Sequence, residues 1–228
     1  TRNNLNRGYF PTAGNYQKAS YDMTVPGSDT LYFKLQYDVR EYIPLTRQED
    51  YVLLMRGRLG YGNGYGQTNG QDNLLPFYQN YYAGGFTTLR GFGSNTAGPK
   101  AVYQSYADNN NGSVTATDES VGGNAVALAS VELIVPTPFA SDEAQSQIRT
   151  SLFVDAASVW DTEFVFRDGV DDDNYFDYAD PGNYRASYGV ALQWVSPMGP
   201  LVFSVAKPIE ISEGDDEEFF TFTIGRTF

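Results

Sequence analysis

Between Leu31 and Ile43 the chain alternates. Leu31, Phe33, Leu35, Tyr37, Val39 and Ile43 share one parity, and Tyr32, Lys34, Gln36, Asp38, Arg40 and Tyr42 share the other. A period of two puts these sets on opposite faces of a strand, one apolar and one charged. The pattern returns along the chain. Ala19, Tyr21, Met23 and Val25 oppose Lys18, Ser20, Asp22 and Thr24. Leu53, Met55, Leu59 and Tyr61 oppose Arg56 and Arg58, and Val131, Leu133 and Val135 oppose Ser130 and Glu132. Leu152 and Val154 oppose Arg149, Ser151 and Asp155; Tyr188, Val190, Leu192 and Trp194 oppose Arg185, Ser187 and Gln193. The alternation predicts eight strands, at roughly 15–25, 30–44, 50–65, 122–136, 147–160, 184–197, 200–210 and 218–228, with residues 1–10 as the remnant of a ninth.

The connections also alternate. Residues 11–14, 45–49, 137–146 and 197–199 are short, whereas 66–121, 161–183 and 211–217 are long or acidic, with 26–29 the exception in length. Membrane barrels of the outer-membrane type sort their connections this way, with short periplasmic turns and longer outer loops. A soluble sandwich has no reason to. No apolar run of about 18 residues exists to make a membrane helix, but a barrel crosses with alternating strands and needs none. The fold class expected is therefore all-β: an antiparallel transmembrane β-barrel of about eight strands, in one domain over residues 1–228 with a long outer loop at 66–121. Lys34, Asp38, Arg40, Arg56 and Arg58 are expected to point inward and the apolar faces outward. Unpaired strand edges are costly in hydrocarbon, so the chain is expected to close its edges. A single eight-stranded barrel is favoured slightly over two chains paired edge to edge, and would push the long loop out of the lumen.

Composition narrows the function. Histidine and cysteine are absent, which removes the usual general base, the commonest metal ligand and all thiol chemistry. A net charge of −13 disfavours nucleic acid. The first residues, Thr1-Arg2-Asn3-Asn4, carry no signal peptide, so the chain is expected to be a mature portion of a longer protein.

Several motifs stand in order along the chain. They are Arg7-Gly8-Tyr9-Phe10-Pro11-Thr12, Tyr81-Tyr82-Ala83-Gly84-Gly85, Leu89-Arg90-Gly91-Phe92, Gly98-Pro99-Lys100-Ala101-Val102-Tyr103, Val121-Gly122-Gly123-Asn124, Pro136-Thr137-Pro138-Phe139 and Gln193-Trp194-Val195-Ser196-Pro197-Met198-Gly199-Pro200-Leu201-Val202-Phe203. Together they resemble the barrel of the BamA family, with Leu89 where the family's R-G-F motif opens on Val or Ile. The resemblance covers nearly the whole chain. It implies the C-terminal half of a sixteen-stranded barrel, without the POTRA domains that precede it in the family. It also implies a bacterial outer-membrane location and no cofactor.

The resemblance further implies roles for particular residues. The loop carrying Arg90, Gly91 and Phe92 would fold into the barrel and latch by pairing Arg90 with Glu132 and Asp155, a structural role that suits the planar guanidinium. Phe220, Phe222, Ile224, Gly225 and Phe228 would form the C-terminal β-signal and the seam strand, which Gly225 weakens. The implied function is insertion of β-barrel proteins into the outer membrane, although this portion need not be active alone. The implied partners are lipids and lipopolysaccharide, unfolded client proteins and the BAM lipoproteins. The alternatives are a passive pore, a TamA-like translocation channel, or an outer-membrane enzyme, the last disfavoured because no histidine is present. The acidic runs Asp171-Asp172-Asp173 and Asp215-Asp216-Glu217-Glu218 are expected to be solvated loops and not cation sites.

Overall fold

A computed structural model describes residues 1–68, 70–105, 113–141, 146–164, 177–197, 199–212 and 214–225, with residues 104, 105 and 113–116 described by their backbone alone. Nine strands form one antiparallel sheet: β1 (Arg2–Asn3), β2 (Gly14–Met23), β3 (Tyr32–Pro44), β4 (Val52–Gly64), β9 (Ala125–Val135), β10 (Ile148–Trp160), β11 (Tyr184–Ser196), β12 (Gly199–Glu210) and β13 (Phe220–Ile224). They follow one another in that order across the sheet. The long connection between β4 and β9 contains two small hairpins, β5 (Gln67–Thr68) with β6 (Gln71–Asp72) and β7 (Lys100–Ser105) with β8 (Ser113–Ser120), and a 3-10 turn at Phe77–Gln79.

The register turns the sequence alternation into two continuous surfaces. One row runs Ile43, Leu53, Leu133, Leu152, Val190, Val205, Phe220 across neighbouring strands, each residue directly opposite the next. Ile43, Leu152, Val190, Val205 and Phe220 are all exposed. A row of the other parity runs Arg40, Arg56, Ser130, Asp155, Ser187, and the next runs Tyr42, Leu54, Glu132, Phe153, Gly189, Ala206. Ser130, Glu132, Asp155 and Ser187 are buried. Apolar side chains thus face out and ionic ones are covered, the reverse of a water-soluble sheet and the arrangement that hydrocarbon solvent demands. Lys34, Asp38, Arg40, Arg56 and Arg58 share the inward parity, as the pattern predicts.

Two differences from the sequence reading stand out. Of residues 1–10 the strand remnant is short, Arg2–Asn3, continued by backbone bonds from Asn4 to Asn15 and from Asn6 to Ala13; the segment lies over the short-turn end of the sheet, where Leu5 joins Tyr42, Val52, Leu54 and Ile134 and the Pro11 carbonyl accepts a bond from Arg149. Second, the sheet does not close on itself: among the described residues β1 pairs only with β2, and β13 only with β12. A closed eight-stranded barrel fills its interior with its own side chains, whereas here the inner face of β9 to β12 is occupied by loop residues 81–97.

The two faces give a direct test. Leu152→Arg, in the middle of the outward row, should lower stability in lipid vesicles by about 2–4 kcal/mol, read from urea unfolding followed by tryptophan fluorescence. Gln36→Arg, on the inward parity, should change it little. Equal losses in the two variants would contradict the assignment of faces.

Candidate functional site

The loop is seated from its root. Tyr81 and Gly123 exchange backbone hydrogen bonds of 2.7 and 3.0 Å, closing the loop's two limbs on each other. The Tyr81 ring lies over Gly60 of β4, where a Cβ would come within 2.7 Å of it, and its hydroxyl donates to the Leu35 carbonyl at 3.0 Å. Only glycine at position 60 leaves room for this contact. Further in, Ala83 pairs with Ala97 and Gly85 with Leu89, so the Leu89-Arg90-Gly91-Phe92 segment crowns a tight turn. Leu89 and Phe92 are fully buried, in a cluster with Tyr81, Ala83, Ala97 and the wall residues Val126, Ala157 and Val159. Burial of the two flanking side chains fixes the direction in which Arg90 points.

Arg90 is itself 0% exposed. Its Nε and Nη2 donate to the two oxygens of Asp155 at 2.7 and 2.8 Å, a bidentate fork that lysine could not make. Its Nη1 lies 2.9 Å from Glu132 Oε2, and its Cζ sits 3.3 Å above the centroid of the Phe153 ring. Arg56 approaches the same carboxylates from the wall, at 3.7 Å from Glu132 and 3.8 Å from Asp155, and donates to Ser130 Oγ at 3.0 Å. Ser151 donates to the other oxygen of Glu132 at 2.8 Å, and Ser187 donates to the Arg90 carbonyl. Two cations therefore balance two anions out of water. Burial by itself would lower the Arg90 pKa, but the bonds to Asp155 and the charge of Glu132 outweigh it, and the guanidinium is held more firmly protonated than usual.

Gly91 makes the approach possible. Its φ of +90° lies in the left-handed region, and a Cβ there would stand 3.2 Å from the Cβ atoms of both Ser187 and Ala206. Phe92 then bridges to Glu217, Gly93 N–H donates to the Asp216 carbonyl at 2.8 Å, and Glu218 N–H donates to the Gly91 carbonyl at 3.0 Å. Here the structure corrects the expectation of a solvated acidic run at one side chain, that of Asp215, while Asp216 and Glu217 are exposed. Asp215 is buried, 2.8 Å from Arg185 Nε and 3.5 Å from Lys100 Nζ. The run Asp171-Asp172-Asp173 lies outside the described residues. Among the described residues no group of acidic side chains converges as a metal site.

The expected seam residues lie elsewhere, at the sheet's edge. Phe220, Phe222 and Ile224 point outward and are exposed, with Phe222 stacked on Phe203 at 4.9 Å. β13 pairs with β12 over five residues and stops at Ile224; Gly225 follows with φ +78°, its N–H bonded to the Pro200 carbonyl. Phe228 lies outside the described residues. Sequence reasoning named Arg90, Glu132 and Asp155, which the structure brings together. It gave no role to Phe153, Ser130, Ser151 or Ser187, and placed Arg56 only as an inward charge. Parity signals which face these residues take, but only the cross-strand register places Arg56 opposite Ser130 and Ser130 opposite Asp155.

An antiparallel sheet that is apolar outside and ionic inside, with a long loop folded onto its inner wall, defines a β-barrel protein of the outer-membrane class. The Omp85 superfamily domain matches residues 1–228, and the chain belongs to that superfamily. It is 32% identical, over its whole length, to the outer membrane protein assembly factor BamA of Neisseria meningitidis serogroup B, of which it covers 28%. It superposes with a TM-score of 0.87 and 47% identity on the crystal structure of BamA from Haemophilus ducreyi lacking POTRA domains 1–3, with 99% of this chain and 41% of that one covered. The chain thus spans less than half of either relative. Its location is the bacterial outer membrane.

Arg90→Ala removes the nearest cation from Glu132 and Asp155, leaving Arg56 at 3.7 and 3.8 Å, and should destabilise the protein by about 3 kcal/mol. Gly91→Ala should cost about 1–2 kcal/mol through the strained φ alone. Both are read from the temperature at which the heat-modifiable gel shift is lost. An unchanged temperature in Arg90→Ala would show that the buried cluster contributes nothing.

Proposed function

We propose that this chain is barrel machinery of an outer-membrane insertase, which folds and inserts other β-barrel proteins and is not an enzyme. The carrying observation is the loop fixed to the inner wall, through Arg90, Glu132 and Asp155, of a sheet that is apolar outside and ionic inside. In this reading the ion cluster is a structural latch that keeps the loop inside the barrel. β13, with Phe220, Phe222, Ile224 and Gly225, is the seam strand. An unpaired edge offers backbone donors and acceptors to an incoming strand. In hydrocarbon such an offer is strong, because each unpaired group costs several kcal/mol. Among the described residues five residue pairs hold β13 to β12, with further backbone bonds at Phe219 and Gly225. The similarity to BamA barrels supports the same reading, and the partners it suggests are membrane lipids and lipopolysaccharide, unfolded client barrels and the lipoproteins of a BAM complex.

Proteoliposomes containing the protein test this. They should speed the folding of a urea-denatured client barrel over empty vesicles, measured by the client's heat-modifiable gel shift, and Arg90→Ala should slow it at equal protein content. Leak of an entrapped dye with no acceleration of client folding would overturn the proposal in favour of a passive pore.

A further inference from the structure

The connection between β12 and β13, residues 211–219, is strongly acidic and would be free in water if nothing held it. Instead it is gripped twice by the long loop. Residues 91–93 and 216–218 form a short antiparallel ladder through the Phe92–Glu217 bridge and its two flanking hydrogen bonds. One residue earlier, Asp215 is buried between Lys100, which belongs to the loop, and Arg185 of β11. Lys100 is itself fixed by the Thr96 carbonyl and Ser120 Oγ. On the other side, Phe219 continues directly into β13 and accepts a bond from Ala206 N–H of β12 at 3.0 Å.

The geometry points to Asp215 and the Phe92–Glu217 ladder as a positioning device for the last strand, so that the seating of the loop sets how firmly β13 is held. Through its side chain Arg90 grips β9 and β10. Only Gly91 separates that grip from Phe92 of the ladder. A loop drawn away from Glu132 and Asp155 must therefore drag or break the ladder, and it withdraws Lys100 from Asp215. β13 then keeps only its pairing with β12. Coupling of this kind is reciprocal: freeing the connection must also loosen the loop. Asp215 is accordingly a positioning residue and touches no client. If β13 is the seam strand of an insertase, the loop determines when that seam yields, and to that extent the inference rests on the proposed function.

Hydrogen exchange followed by mass spectrometry, on the full chain in detergent micelles without client, tests the coupling. Because no client is present, its outcome stands apart from that of the insertion assay. In Arg90→Lys, amides in 216–224 should exchange about tenfold faster than in the unaltered protein, since roughly two backbone hydrogen bonds are lost. Those at the centres of β9 and β10 should not change. In Asp215→Asn, which alters no residue of the loop, amides in 86–97 should speed up as well. Faster exchange in 86–97 for Arg90→Lys, with 216–224 unaltered, would overturn the inference. If Arg90→Lys does not fold, Asp215→Asn decides alone: unchanged rates in 86–97 would overturn it equally.

Discussion

Hydrocarbon cannot solvate a charge or an unpaired backbone group, and every other feature of this protein follows from that constraint. It forces the apolar row from Ile43 to Phe220 outward and drives the ionic residues to the concave side. A concave face bearing Arg56, Glu132 and Asp155 then needs partners of its own, because water reaches it poorly once the loop is seated. The loop supplies one charge, Arg90, and removes water from the rest. Inversion of the sheet and anchoring of the loop are thus one solution to one problem.

The cluster is sensitive to its parts because it is neutral only as a whole. Arg90 and Arg56 share Glu132 and Asp155, with Ser130 and Ser151 filling remaining bonds. A buried charge that loses its partner costs far more than the pair adds to stability. Such a cluster therefore favours one geometry over near alternatives more than it raises stability. That suits a loop that must be held in one place, and Phe153 beneath the guanidinium narrows the choice again.

Much of this was legible in the sequence because the period of two survives in every long strand. The boundaries of β2, β3, β4 and β9 to β12 fall within a few residues of the alternation, and parity alone places Glu132 and Asp155 inward. Arg90 was legible only through its motif, since nothing in a loop's own pattern says where it folds. The ladder at Phe92 and Glu217 joins segments more than a hundred residues apart, neither of which alternates, and so it left no local signal. Asp215 misleads for the same reason: in sequence it is one carboxylate of an acidic run, and only the tertiary contacts bury it between two cations. The seating of the loop over the inner wall was also hidden, because alternation reports which face a residue takes and not what fills the space above it.

The central claim is that the loop is held on the inner wall by the bond between Arg90 and Asp155. A double-mutant cycle tests it most directly: Arg90→Met, Asp155→Leu and both together, with stability taken from urea unfolding in lipid vesicles. The account predicts that the double variant is more stable than the sum of the single losses implies, by about 0.5–3 kcal/mol, the range for residues in direct contact. Additive losses would contradict it.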